Sequence, residues 1–213
     1  MMYIAIEGVI GVGKTSLARL LQPVFDAELL LEVFEENPFL ADFYADRDRY
    51  AFQTQIFFLL SRYRQQSETV PKALAKSNLI TDYTFEKDAL FAKLNLSGDE
   101  LETYHLLHNA LAERIVAPDL IVYLKASTDV AMQRIAMRDR SYERQMERGY
   151  IEALNQAYEA FFTDYPSGLV LSIDTNPLDF VARSEHLTHI TRRIRATLGI
   201  PPYQPELPLD GDA

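Results

Sequence analysis

The stretch of sequence that decides the fold reads Gly8-Val9-Ile10-Gly11-Val12-Gly13-Lys14-Thr15, with Ser16 directly after it. It matches the pattern G-x-x-x-x-G-K-[ST] at every fixed position. An apolar run precedes it, and an amphipathic stretch, from about Lys14 to Asp26, follows it. A strand, a glycine-rich turn and a helix in this order form a P-loop, in which backbone N–H groups converge on a phosphate at the helix N-terminus. We therefore predict that residues 8–16 bind the phosphates of a nucleoside triphosphate, with Lys14 at the β- and γ-phosphates and the Thr15 hydroxyl on Mg²⁺.

The length and charge of the chain exclude several classes of protein. A chain of 213 residues favours one α/β domain over two. Asp and Glu outnumber Lys and Arg by 31 to 21, and the net charge of −10 argues against binding to nucleic acid or to an anionic membrane. The absence of cysteine excludes disulfides, thiolate catalysis and Cys-ligated zinc. No apolar run approaches the ~20 residues of a membrane span and no secretory signal is visible, so we expect a cytoplasmic protein.

Short apolar runs alternate with longer amphipathic stretches along the chain. After the run Met2 to Ile6, further strands are predicted at Leu29 to Val33, Leu79 to Thr81, Leu120 to Leu124 and Leu169 to Ile173. Helices are predicted at Arg49 to Gln66, Asp99 to Val116, Thr128 to Arg138, Ile151 to Phe162 and Asp179 to Leu198. This alternation favours an α/β domain, residues 1–200, with a five-stranded parallel sheet flanked by helices on both faces. Residues 201–213 contain four prolines, and we expect a Pro-rich C-terminal tail there.

Three classes of protein carry such a loop: guanine-nucleotide switches, motor-type ATPases and small-molecule kinases. They differ in the residues that they require beyond the loop. A guanine-nucleotide switch carries an N-K-x-D motif, which this sequence lacks, and motor-type ATPases generally need a longer chain. A small-molecule kinase needs mobile arginines over the transferred phosphate, and Arg134, Arg138 and Arg140 lie where the apolar spacing ends. Their guanidinium groups would meet the charge that develops on the phosphoryl oxygens. We therefore predict a P-loop kinase fold with a lid at about residues 138–149.

Two acids stand at the ends of predicted strands. Glu32 ends the second strand, and Asp82 ends the third. Parallel strands present their carboxyl ends at one edge of the sheet, which is also where the P-loop lies. A kinase of this kind needs one carboxylate to accept a hydroxyl proton and a second acid near the metal. Glu32 and Asp82 are the candidates for these two tasks.

The helix from Arg49 carries polar side chains that suit a nucleobase. Gln55 and Arg62 are seven residues apart, so they share one face of the helix. A Gln amide can pair with a base edge through two hydrogen bonds, and an Arg can donate to a base carbonyl or ring nitrogen. Phe58 and Phe91 are candidates for the walls of such a pocket.

Together these residues resemble the deoxynucleoside kinase family, in particular its bacterial purine-deoxynucleoside branch. The resemblance runs from the P-loop to about Tyr158 and rests on Glu32 before Glu35-Glu36-Asn37-Pro38-Phe39-Leu40, then Phe43-Tyr44, Ala51-Phe52-Gln53-Thr54-Gln55, Ser61-Arg62, Asp82-Tyr83-Thr84, Phe91-Ala92 and Arg138-Asp139-Arg140. It implies an ATP-dependent kinase that phosphorylates the 5′-hydroxyl of a deoxynucleoside in nucleotide salvage, with purines preferred. It also implies a homodimer, which would bury the apolar surplus on the two longest predicted helices.

The resemblance implies a role for each matching residue. Glu32 would be the general base on the 5′-hydroxyl, and Asp82 would be the acid near Mg²⁺. The residues expected to hold the nucleoside are Tyr44 and Glu143 at the sugar 3′-hydroxyl, and Gln55, Arg62 and Asp88 at the base. The residues expected in the lid are Arg134, Arg138 and Arg140.

The sequence departs from the family pattern beside the expected general base. The family's E-P-V tripeptide reads Glu32-Val33-Phe34 here. The arginine of its [DE]-R-S motif is replaced by Tyr83, so the usual positive charge near the 5′-hydroxyl is missing. Lys87, one turn onward, is a candidate replacement.

Two other functions stay open on the sequence alone. A nucleoside monophosphate kinase, such as a thymidylate kinase, needs fixed cations for the acceptor phosphate; Arg62 and Arg64 are available, but Tyr83 stands where a cation would help. A non-catalytic, nucleotide-dependent regulator would have no need of the candidate catalytic groups. Activity on deoxynucleosides, on monophosphates or on neither distinguishes the three functions.

Overall fold

A five-stranded parallel sheet forms the centre of the structure. Its strands are β1 (Tyr3–Gly8), β2 (Ala27–Leu30), β3 (Asn78–Thr81), β4 (Leu120–Lys125) and β5 (Leu169–Asp174). They lie in the order β2-β3-β1-β4-β5, and every neighbouring pair is parallel. This computed structural model describes residues 1–144, 146–163, 165 and 168–201. The predicted tail at 201–213 therefore lies outside the described residues, apart from Pro201.

Helices cover both faces of the sheet. They are α1 (Lys14–Phe25), α2 (Leu40–Ala45), α3 (Arg47–Arg64), α4 (Val70–Leu74), α5 (Lys87–Asn95), α6 (Gly98–Ala112), α7 (Thr128–Arg138), α8 (Arg148–Thr163) and α9 (Ser184–Thr197). In β1, Ile4 and Ile6 belong to one buried cluster, whereas Tyr3 and Ala5 belong to a second. Successive side chains of a strand point to opposite faces, so an apolar strand needs cover on both sides. The predicted α/β fold is confirmed. Along the described ranges, none of the helices combines the length and the apolar character that crossing a membrane requires.

The second strand is shorter than predicted. β2 ends at Leu30 rather than Val33, because its partner β3 ends at Thr81, opposite Leu30. Beyond this point the backbone N–H of Glu32 donates to the Asp82 carboxylate at 2.8 Å instead of to a strand. A side chain has therefore replaced the sheet as hydrogen-bond partner, and Glu32 lies just past the edge of the sheet.

Two helices begin where an aspartate binds nearby backbone N–H groups. α3 begins at Arg47, two residues before the prediction, and the Asp46 carboxylate accepts the N–H of Arg49 at 3.4 Å as an N-cap. α9 begins at Ser184, five residues later than predicted. The Asp179 carboxylate accepts the N–H groups two and three residues onward, at 3.2 and 2.9 Å, and this bonding favours a turn over a helix.

The strand order places the functional residues together. β1, which leads into the P-loop, is central, and β3 and then β2 lie beside it. The carboxyl ends of these three strands therefore stand side by side at one edge of the sheet. Ligands of open parallel sheets bind at this edge, outside the carboxyl ends of the strands.

Candidate active site

The P-loop follows β1 and ends where α1 begins at Lys14. Gly11 has a φ of 85°, and a Cβ at that position would lie 2.7 Å from the backbone oxygen of Ala131, so the turn needs glycine there. The Lys14 ammonium lies inside the loop and donates to the carbonyls of Gly8 at 2.7 Å and Val9 at 3.2 Å. Burial lowers the pKa of Lys14 to about 8. The loop thus has the form of an anion cradle with one ammonium group within it.

Two acids face this cradle from the neighbouring strands. The Thr15 hydroxyl donates to one carboxylate oxygen of Asp82 at 2.5 Å. The other Asp82 oxygen accepts the backbone N–H of Glu32. Asp82 therefore joins the first turn of α1 to the segment after β2, as expected for two acids at adjacent strand ends.

The Glu32 carboxylate lies between two cations. Arg62 on α3 donates through Nε to Glu32 Oε1 at 2.9 Å, and its Nη2 contacts the same oxygen. The Lys87 ammonium, in the first turn of α5, donates to Glu32 Oε2 at 2.7 Å. Burial alone would raise the pKa of Glu32, but the charges of Arg62 and Lys87 outweigh burial and hold that pKa far below its usual range. Glu32 is therefore ionised at neutral pH, with each oxygen paired to a different cation.

The predicted base-reading residues meet on one side of α3. Gln55 and Arg62 are both buried on this helix. Their spacing of seven residues places them on the same face. The Arg62 guanidinium stacks over the Phe58 ring, with its carbon 4.6 Å from the ring centre. Arg62 also forms an ion pair with Asp88, whose side chain is fully buried. One arginine thus joins the acid beside the P-loop to a fully buried acid on α5. Phe91, also on α5, is half-buried.

The predicted lid follows α7. Arg138, the last residue of α7, makes a bidentate ion pair with Glu143 through Nε at 2.8 Å and Nη2 at 2.5 Å. Arg140 lies 3.8 Å from the same carboxylate. The rings of Tyr44 and Tyr142 stack with centres 6.1 Å apart, which brings α2 against the lid. Burial raises the pKa of Tyr44 well above its ordinary value, so its hydroxyl stays a neutral donor.

Arg134 departs from the prediction that three arginines act together. Its Nη1 donates to the Val12 carbonyl and to the Thr175 hydroxyl, both at 3.0 Å. Its Nη2 donates to the carbonyls of Thr175 at 3.0 Å and Leu178 at 3.2 Å. The structure therefore separates Arg134 from Arg138 and uses it to tie the P-loop to the segment after β5.

One cavity joins most of these side chains. The predicted site residues that line it are Ile10, Gly11, Lys14, Thr15, Glu32, Tyr44, Gln55, Phe58, Arg62, Asp82, Phe91, Arg138, Arg140 and Glu143. Lys87 and Tyr150 line it as well. Asp88 lies buried against Arg62 rather than at the cavity wall, and Arg134 is bound to carbonyls elsewhere. The cavity thus runs from the phosphate cradle, past Glu32, to the aromatic and polar residues of α3.

Sequence reasoning missed the buried carboxylate of Glu7. It accepts hydrogen bonds from the N–H of Gly8 at 3.2 Å, from the N–H of Thr84 at 2.5 Å and from the Tyr158 hydroxyl at 3.0 Å. It thereby joins the first residue of the P-loop to the segment that leads into α5. The available signal was an acid in an otherwise apolar strand, since a fully buried carboxylate needs several partners.

The fold and this cavity define a class of protein, a P-loop kinase in which a phosphate cradle faces an ionised carboxylate. The sequence matches the family model described as deoxynucleoside kinase over residues 4–198. The chain belongs to the deoxynucleoside kinase family. It is therefore an ATP-dependent phosphotransferase that acts on a hydroxyl group, and the predicted family and reaction are confirmed.

Individual relatives support the same family. The chain is 35% identical to the deoxyguanosine kinase of Bacillus subtilis (strain 168) over 198 residues, which cover 91% of this chain and 96% of that protein. It is 37% identical to a deoxyadenosine kinase of Dictyostelium discoideum over 76% of this chain and 67% of that protein. Among solved structures, the deoxyadenosine kinase of M. mycoides with dCMP and dCDP has a TM-score of 0.80 and 28% identity, covering 92% of this chain and all of that chain.

Proposed function

We propose that this kinase transfers the γ-phosphoryl group of ATP to the 5′-hydroxyl of a purine deoxynucleoside. The observation that carries the proposal is the charge balance of the acceptor end. There, the cations Arg62 and Lys87 are both paired with acids, Glu32 and Asp88. An acceptor that already carried a phosphate would need a cation without such a partner, and the described residues of this end offer an ionised base instead. This favours a nucleoside over a nucleoside monophosphate as acceptor.

At the donor end, the P-loop amides and Lys14 would hold the β- and γ-phosphates. Lys14 would exchange its two carbonyl partners in the loop for phosphate oxygens. Thr15 and Asp82 offer one hydroxyl and one carboxylate oxygen 2.5 Å apart, a donor set that suits Mg²⁺, which takes few protein ligands and completes its shell with phosphates and water. A metal ion there would neutralise negative charge on the phosphates. Thr15 and Asp82 are the residues that would hold it.

At the acceptor end, Glu32 would act as the general base. A bond forms between the 5′-oxygen and the γ-phosphorus, the bond from that phosphorus to the β–γ bridging oxygen breaks, and the hydroxyl proton passes to Glu32. Because the pKa of Glu32 is held far below its usual range, the proton moves only once the hydroxyl oxygen has begun to bond to phosphorus. Late proton transfer fits a largely dissociative transition state, in which positioning and electrostatics supply most of the acceleration.

The remaining residues would position the two substrates. We propose that Arg138 and Arg140, in a lid at about residues 138–149, meet the charge on the transferred group. Arg134 would support the P-loop rather than touch that group, since its guanidinium is already bound to three carbonyls. Tyr44 and the lid residue Glu143, which both line the cavity, would hold the sugar 3′-hydroxyl.

Purine selection would depend on α3 and α5. Gln55 and Arg62 present donors and an acceptor toward the cavity, and Asp88 fixes the orientation of Arg62. Purine selection is also supported by the names of the relatives, a deoxyguanosine kinase and a deoxyadenosine kinase. Neither observation separates guanine from adenine.

We further propose that the enzyme is a cytoplasmic homodimer. The support for a dimer is two leucines that are exposed on neighbouring helices, Leu60 on α3 at 47% and Leu106 on α6 at 75%. Burying such side chains is favourable by roughly 1.5–3 kcal/mol each. Light scattering at micromolar concentration is expected to give twice the 24.4 kDa mass of the chain; a monomer would exclude the dimer.

The decisive experiment is a substrate panel with ATP and Mg²⁺. Purified protein is incubated with each of the four deoxynucleosides, and separately with their 5′-monophosphates, and products are quantified by chromatography. We expect deoxyguanosine or deoxyadenosine to give the highest kcat/KM and monophosphates to give none. Activity confined to monophosphates would overturn the proposal, and ATP that is bound but never consumed would point to a regulator instead.

A further inference from the structure

One of the two cations beside Glu32 comes from a position other than the one that the family pattern gives. In this family the residue after the strand-end acid is expected to be an arginine, and here it is Tyr83. The Tyr83 side chain is fully buried, and its hydroxyl donates to Gln65 Oε1 at 2.9 Å. Tyr83 therefore carries no positive charge and is occupied elsewhere. The charge beside Glu32 has to come from another residue.

Lys87 is that residue. Its side chain is only 5% exposed, and its ammonium lies 2.7 Å from Glu32 Oε2. It lines the same cavity as Lys14 and Asp82, and it is close enough to Lys14 to contribute to the lowered pKa of that ammonium. Lys87 thus stands at the junction of the donor and acceptor ends, where the phosphoryl group must pass.

Arg62 is less suited to that junction. It holds both Glu32 and Asp88, so two carboxylates share one guanidinium. In the described ranges Lys87 Nζ makes a single hydrogen bond, the one to Glu32. An ammonium has three donors, so two remain for a substrate. The Lys87 ammonium lies 6.0 Å and 5.8 Å from the ring centres of Tyr83 and Phe91. Aromatic ring faces attract a cation but leave its N–H donors available for hydrogen bonds.

We infer that Lys87 is a catalytic residue, whose ammonium contacts the acceptor hydroxyl and the incoming phosphoryl oxygens. This inference rests on the proposed function, since it assigns a role within that reaction. Lys87 contributes charge and hydrogen bonds, while the hydroxyl proton passes to Glu32. As Glu32 takes up the hydroxyl proton, its attraction for the ammonium weakens, and the ammonium then compensates the charge on the transferred group.

Tyr83 acquires a positioning role in the same arrangement. Its hydroxyl binds Gln65, and Gln65 Nε2 donates to the Leu31 carbonyl at 3.5 Å, directly before Glu32. Gln65 begins a π-helical turn at the end of α3, a rare conformation that is frequent at functional sites. The residue that replaces the expected arginine therefore supports the backbone of the general base.

The first test compares Lys87→Met, which removes the charge, with Lys87→Arg, which keeps it. Lys93→Met, on the exposed side of the same helix, is the matched control. We expect Lys87→Met to lower kcat by about 10²-fold or more, with the Kd for ATP by calorimetry within about threefold of wild type. Lys87→Arg should regain at least tenfold of the loss. A kcat for Lys87→Met within threefold of wild type would overturn the inference.

The second test separates direct catalysis from mere support of Glu32. Glu32→Gln is compared with the double variant Glu32→Gln/Lys87→Met, in which the buried charges are removed as a pair, so that folding does not depend on an unpaired Lys87. If Lys87 contacts the phosphoryl group, the double variant should turn over about tenfold more slowly than Glu32→Gln alone. Equal rates would show that Lys87 acts only through Glu32. Inactive wild-type protein in the nucleoside panel would instead defeat the proposed function itself.

Discussion

The two ends of the cavity are built in different ways. At the donor end, the contacts of Lys14 reach carbonyls only five and six residues away, all within the P-loop. At the acceptor end, Glu32 is bound by Arg62 and Lys87, which are 30 and 55 residues away in sequence. Apart from Asp82, which reaches Thr15 from the end of β3, the donor end is a local motif of backbone groups and Lys14. The acceptor end is instead assembled from side chains of three separate segments.

We interpret this difference as the combination of a general phosphate site with a particular acceptor site. Backbone N–H groups at a helix N-terminus bind any phosphate, so the donor end needs no other part of the chain to be recognisable. The acceptor end holds two acids and two cations that nearly cancel, and their mutual arrangement decides what can bind. Substitutions at the two ends should therefore have different kinetic signatures.

Removing the ammonium of the donor end should have the largest effect. We expect Lys14→Met to lower kcat/KM for ATP by about 10³-fold, because in the proposed mechanism that charge stabilises the transferred group. Nucleoside affinity, measured by calorimetry, should stay within a few-fold of wild type. Lys72→Met, on an exposed face of α4, is the control. A comparable loss of nucleoside binding would show that the two ends are not separate.

Removing the base of the acceptor end should produce the complementary signature. We expect Glu32→Gln to lower kcat by roughly 10²-fold with little change in KM for either substrate, since the amide keeps the shape but cannot take the proton. Steady-state kinetics with Glu36→Gln, exposed in the same segment, as control would measure this. Near-normal turnover would remove Glu32 from the role of general base.

Truncating Arg62 should change selectivity more than rate. The ratio of kcat/KM between the best and the worst deoxynucleoside is expected to fall by about tenfold in Arg62→Met, because the variant loses the base contacts proposed for Arg62. Using the ratio cancels any common effect that arises from the bond of Arg62 to Glu32. Arg64→Met, whose side chain is 80% exposed on the same helix, is the control. An equal loss for every nucleoside would contradict a base-reading role.

The smallest effect is expected from a histidine that supports the acceptor end. The His108 ring stacks on Phe85, in the segment between β3 and α5, at 4.8 Å. Burial lowers the pKa of His108 below its ordinary value of 6.5. As the pH falls through 6.5, the unfolded chain therefore takes up a proton that the folded chain does not, and folding becomes less favourable.

Denaturant unfolding at pH 7 and pH 5 tests this prediction. The free energy of unfolding of wild type should fall between these values by more than that of His108→Gln, which has no group to titrate. The difference between the two proteins removes the contribution of all other titrating groups. If the free energy of unfolding fell equally in both proteins, His108 would not be the source of the pH dependence.

Much of the site follows from local patterns in the sequence. Gln55 and Arg62 share a face of α3 because seven residues make two helical turns, and both side chains reach the cavity. Asp82 reaches the P-loop because parallel strands end at one edge. The roles given to these residues stay predictions until the variants are measured.

Other parts of the site could not be predicted from the sequence. Arg134 and Arg138 lie one helical turn apart, yet one binds backbone carbonyls and the other binds Glu143. Which partner a long side chain reaches depends on segments distant in sequence, here the connection after β5. The four hydrogen bonds that Glu7 accepts likewise come from three separate parts of the fold: Gly8 in the P-loop, Thr84 after β3, which donates twice, and Tyr158 on α8.

The amino-acid sequence by itself determined the glycine-rich cradle, the parallel sheet and the family. These depend on contacts between residues that are close in sequence and on the periodicity of apolar residues. Only the tertiary structure decided that Lys87, which the sequence offered as a candidate, pairs with Glu32, and that Arg62 pairs with the same carboxylate. The reason is physical: a buried carboxylate must be neutralised by whichever cation the packing brings within about 3 Å, and sequence position does not specify that distance.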